Sequence, residues 1–112
     1  MYLILKLNKG EYMFYRVTKL SVKPGTMKNI VDYLDTVEDR FTEFKGMVNV
    51  TCVQVSDTEA FAFSSWNTME EAENAAELQG ELMGGMKEWF AGPPERMVGE
   101  LVWSWSPEEV AV

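Results

Sequence analysis

The chain has 112 residues, 46% of them hydrophobic and 25% charged, which is the composition of one globular domain with its own core and not of a disordered segment. A net charge of -8 argues against nucleic acid as a partner, because that affinity comes mostly from Lys and Arg on phosphates. Histidine is absent, which excludes His-ligated metal or haem and an imidazole base, and the single cysteine, Cys52, excludes an internal disulfide.

The first element in chain order is Tyr2-Leu-Ile-Leu-Lys-Leu7, a strand pattern followed by the turn residues Asn8-Lys-Gly10. Residues 1–12 are read as an extension that adds an edge strand or a dimer-contacting arm. They lack the basic leader, apolar length and cleavage site of a signal peptide, and no stretch of the chain is long enough to span a bilayer. With the lone cysteine, this places the expected protein in the cytoplasm, with no membrane partner.

A strand is expected from Phe14 to Val22, where aromatic and β-branched residues alternate, and Lys23-Pro24-Gly25-Thr26 stops it. Met27, Ile30, Val31, Leu34, Val37, Phe41 and Phe44 then recur at helical spacing, with Thr26 as N-cap and Gly46 at the left-handed stop. Met47–Val55 and Glu59–Trp66 form a hairpin around Ser56-Asp57-Thr58. Thr68-Met-Glu-Glu71 fits a capping box opening a second helix, which Gly84-Gly85 kinks or breaks. Met97–Trp105 is the last strand, its Trp103 and Trp105 on one face filling a core or a dimer seam, and residues 106–112 form a tail.

The order β-α-β-β-α-β over residues 13–105 is the ferredoxin-like α+β arrangement, an antiparallel sheet with both helices on one face. A tight turn at Ser56–Glu59 pairs Val55 with Ala60, Val53 with Ala62, Thr51 with Ser64 and Asn49 with Trp66. Val48, Val50 and Cys52 then join Phe61 and Phe63 on the bare face, an apolar set that calls for a partner sheet from an identical chain. Cys52 itself reads as a small buried hydrophobe.

Val22-Lys-Pro-Gly25, Phe44-Lys-Gly-Met47, the strand end Ser65-Trp66-Asn67 and Gly92-Pro-Pro-Glu95 together resemble the dimeric α+β barrel superfamily, in its antibiotic-biosynthesis-monooxygenase-like branch. The resemblance implies a homodimer whose two sheets close into a barrel, with a cavity between sheet and helices in each subunit. Members of the superfamily include cofactor-independent oxygenases, haem degraders, isomerases and proteins of no known activity. The oxygenases and haem degraders carry a tryptophan at a similar strand end, here Trp66, and an asparagine on the first strand, a position that falls near Thr18. The haem degraders' histidine falls near Ala75 or Ala76 and is missing, so haem degradation does not carry over.

Two readings of Trp66 stand side by side. Small residues at Ala60, Ala62 and Ser64 on its face leave a space that Trp66 walls, or Trp66 is a core anchor with its N–H bonded. Asn49 has a ligand-binding reading, through its amide, and a plain one at a strand edge. Arg16, on the side of Thr18, is a ligand clamp or a solvated or ion-paired residue. Glu73, Glu77 and Glu81 share a helical edge with no further ligand, and no metal or cofactor is expected. The expected function is a homodimer binding a small apolar organic molecule, in its enzymatic form a cofactor-independent oxygenase of an aromatic or polyketide-like substrate. The alternative is a non-catalytic binding or interaction module.

Overall fold

The computed structural model describes residues 13–107, so the expected strand of the extension and the end of the tail lie outside the described residues. Strand β1 spans Phe14–Ser21, helix α1 Met27–Thr36, strand β2 Met47–Ser56 and strand β3 Glu59–Trp66. Helix α2 covers Met69–Asn74, helix α3 Ala76–Gly84 and strand β4 Glu95–Glu100, with 3-10 turns at Glu38–Glu43 and Lys87–Trp89. All pairings are antiparallel and the sheet runs β2-β3-β1-β4. This is the ferredoxin-like topology.

The sheet is not closed into a barrel. Among the described residues, strands β2 and β4 are its two edges, and four strands cannot wrap around an interior, which takes about eight before side chains fill it. The barrel expectation is therefore corrected to an open α+β sheet.

Alternation assigns the faces. Arg16, Thr18, Leu20 and Val22 are buried while the residues between them are only partly so, which marks the even positions of β1 as the helix side. Leu20, Val22 and Ala60 pack there with Ile30 of α1 and with Met86. Trp66 makes a second cluster with Ala72 and Ala75, closed by Phe44 and Met47.

Three local expectations change. Thr26 holds the N-cap position of α1 as expected but makes no side-chain cap bond: its hydroxyl donates to the Lys23 carbonyl at 2.6 Å, closing the Pro24-Gly25 turn. Strand β4 ends at Glu100 and not at Trp105, because its ladder on β1 runs out at the pair Phe14↔Glu100, with one further bond from Leu101 N–H to the Met13 carbonyl. Trp103 and Trp105 follow with 78% and 73% of their surface exposed, so they fill no core of this chain. The acidic helical region breaks at Gly84-Gly85 as expected, with only the 3-10 turn Lys87–Trp89 after it, but also breaks at Ala75. Arg16 explains that break: its Nη2 donates to the Ala72 carbonyl, and a side chain inserted into the i→i−4 ladder interrupts a helix.

Two features hold as read. Thr68 Oγ1 accepts from the Glu71 N–H at 3.0 Å and donates to the Glu71 carboxylate at 3.1 Å, the local bond of the capping box. Gly46 has the left-handed backbone expected of it, at φ 81°, where a Cβ would also collide with the Glu71 side chain, but α1 has already ended at Thr36 and only the 3-10 turn Glu38–Glu43 lies between.

Candidate functional site

The site begins with the register of the β2–β3 hairpin. Gln54 stands opposite Ala60, Cys52 opposite Ala62, Val50 opposite Ser64 and Asn49 opposite Ser65, with irregularities between Gln54 and Ser56 and between Met47 and Asn49. The expected pairing was one residue out. An extra residue in one strand shifts everything beyond it, and a shift of one moves every side chain to the other face. Val50 and Cys52 therefore leave the set expected on the bare face and turn toward the helices. Val48 falls at the second irregularity, 54% exposed. Phe61 and Phe63 stay on the bare face, their rings stacked 6.4 Å apart, and Thr51 and Val53 stand opposite them.

On the helix side the small residues do leave a space. A cavity of about 200 Å³ lies between the sheet and the helices, bounded by Trp66, Ala62, Ser64 and Thr18 on the sheet and by Ile30 and Leu82 on the helices. Exposed Val50 and Cys52 on edge strand β2 mark its outer end. Trp66 is buried at one end, edge-on to Phe44 with centroids 5.8 Å apart. Its Nε1–H donates to Ser64 Oγ at 2.9 Å, so the indole is satisfied within its own strand.

Arg16 lies behind this corner, 5% exposed. Its Nη1 donates to Gln79 Oε1, its Nη2 donates to the Ala72 carbonyl, and its guanidinium carbon lies 6.0 Å from the Trp66 ring centre. Burial holds its pKa below the ordinary arginine value, nearby Arg96 adds to that, and Glu73 opposes it. Cys52 is an exposed residue of the edge strand, contrary to the buried role expected, yet the packing around its sulfur pushes the thiol pKa up.

Of the expected ligand residues, the fold thus brings Trp66, Ser64 and Thr18 onto one cavity, with Arg16 behind them. Asn49 stands apart. It faces the bare side, where its Oδ1 accepts from Ser65 Oγ at 2.9 Å. Gln79 was not singled out, since a glutamine on an acidic helix carries no signal until α3 is docked. Glu81 pairs with Arg40 at 2.9 Å, and among the described residues no three Cys, Asp or Glu side chains gather as metal ligands. Nor is any helix among them long and apolar enough to cross a membrane.

No family model matches the sequence, and no curated protein matches it. The fold is the ferredoxin-like one, and it recurs across solved structures, two of which are described as antibiotic biosynthesis monooxygenases, from Nitrosomonas europaea and Bordetella bronchiseptica. A monooxygenase from the ActVA-Orf6 gene of Streptomyces coelicolor, solved with nanaomycin D, superposes with a TM-score of 0.68 at 20% identity, covering 91% of this chain and 98% of that one. SnoaB, a cofactor-independent oxygenase from Streptomyces nogalater, gives 0.66 at 12% identity over 82% of this chain and 95% of its own. A dimeric ferredoxin-like protein from an uncultured marine organism gives 0.71 at 13% identity, covering 91% and 98%. At these identities the likeness is one of fold.

Proposed function

We propose that this chain binds a small aromatic molecule in the cavity beside Trp66, acting as a homodimer. The observation that carries the reading is the cavity itself: about 200 Å³, mainly apolar, with a few convergent polar groups at the Trp66 end. An apolar cavity of about 150 Å³ is enough for benzene, so one or two rings fit. The ligand of the Streptomyces coelicolor neighbour and the cofactor-independent oxygenase activity of SnoaB support an aromatic ligand and, as the enzymatic form, cofactor-independent oxygenation. In that chemistry the substrate supplies the electrons, and the protein's part is to bind it, orient it and exclude water.

One observation favours the non-catalytic alternative. Among the described residues, Cys52 is the only titratable side chain on the cavity wall, and its thiol is shifted away from ionisation, so none of them offers the ligand a ready general base. The dimer rests on the bare sheet face, where Phe61 and Phe63 have no cover from the helices, and on the dimeric neighbour. The test is a screen of phenols and quinones by melting temperature and tryptophan fluorescence, followed by oxygen uptake with each binder. Binding with oxygen consumption supports the enzyme, binding without it the module, and no binding overturns both.

A further inference from the structure

We infer that the Trp66 end of the cavity is a subsite for an anionic oxygen on the aromatic ligand, bound by the Gln79 amide N–H2 and the Ser64 hydroxyl. This rests on the cavity being a binding site and names the charge state it selects.

The argument follows the direction of the hydrogen bonds. A guanidinium has only donors, so the Gln79 atom that faces Arg16 is the carbonyl oxygen. That fixes the orientation of the amide and leaves its N–H2 turned away from Arg16, and Gln79 is also part of the cavity wall. Ser64 is fixed in the same sense. Its oxygen accepts from the Trp66 indole, so its own proton is free to be donated, and it too lies on the wall. Both polar groups therefore present donors to the same space.

Arg16 adds the sign of charge. It is 5% exposed, forms no ion pair among the described residues, and its Nε has no acceptor there. A buried cation held by neutral carbonyls keeps much of its field, since Glu73 acts on it only without an ion pair, and little water screens it. An anionic oxygen at the Gln79 amide would be the counter-charge the corner lacks. The apolar remainder, from Ile30, Leu34 and Leu82, suits the ring that carries it.

The test uses 4-nitrophenol, whose phenolate is told from the phenol by its absorption, with nitrobenzene as a neutral probe of the same size. The expected result is a bound pKa about one unit below that in solution, which is about tenfold preference for the phenolate. Gln79→Glu places a carboxylate on Arg16 and should abolish the shift while nitrobenzene still binds. Gln79→Leu, which keeps the Arg16 charge but removes the donor, should leave a smaller shift. If both probes bind and the nitrophenol pKa is unmoved, the anion subsite is wrong and the cavity reading survives. If neither binds, both are overturned.

Discussion

The Trp66 indole donates to Ser64 Oγ, two residues earlier on the same strand and 2.9 Å away, so the bulkiest residue of the corner and its small neighbour are one unit. Trp66→Phe keeps the edge-on contact with Phe44 but removes that bond and part of the buried ring. The expected loss is about 1–3 kcal/mol in urea unfolding. A change below about 0.5 kcal/mol would mean that the corner is loosely packed and that Trp66 is not its anchor.

On the bare face, Phe63→Glu should turn the proposed dimer into monomer in sedimentation equilibrium, because a seam built on the stacked Phe61 and Phe63 would not take an unpaired carboxylate. Val31→Glu, at a position 46% exposed on α1, is the control and should leave the association state alone. A wild-type protein that sediments as a monomer at micromolar concentration removes the dimer.

Much of the fold is legible in the residues themselves. Alternation from Phe14 to Ser21, the turn at Ser56-Asp57-Thr58, the Thr68 cap and the glycine stop at Gly46 each name an element by local chemistry. The face of β2 was not legible, since a bulge near Val55 leaves no composition signal and reverses the reading of Val50 and Cys52. The candidate site divides in the same way. Trp66, Ser64 and Thr18 follow from alternation on β1 and β3, whereas the Arg16–Gln79 contact joins residues 63 positions apart and exists only once α3 is packed. The extent of β4 depended on its partner. Nothing in Leu101-Val-Trp-Ser-Trp105 states that the ladder on β1 has ended.

Cys52 offers a reporter at the outer end of the cavity. Its raised pKa keeps the thiol protonated, so alkylation by iodoacetamide at neutral pH should be slower than for an unfolded-chain thiol and should slow further when an aromatic ligand is bound. The sign for stability follows from the same shift. The folded state holds the proton more tightly, so this contribution is fully present below the ordinary thiol pKa and is lost as pH rises through the folded one. Unfolding free energy should fall with pH in the alkaline range, and Cys52→Ala should flatten that fall. An alkylation rate equal to that of the denatured chain, unaffected by ligand, would show that the sulfur faces solvent.

Ala62 decides between an open cavity and a packed core. It stands across from Cys52 and lies on the cavity wall between Ser64 and the Ala60 core position. In a close-packed interior Ala62→Leu forces neighbours aside and costs about 1–3 kcal/mol. In the cavity the three added carbons have room and gain apolar burial, so stability should hold within about 0.5 kcal/mol or rise. The same variant fills the space that a ring would take, so the thermal stabilisation by a phenolic ligand should vanish while the fold and the association state persist. Marked destabilisation by Ala62→Leu, together with no binder in the screen, would reduce Trp66 to a core anchor. Tolerance of leucine with undiminished binding would place the ligand elsewhere on the chain.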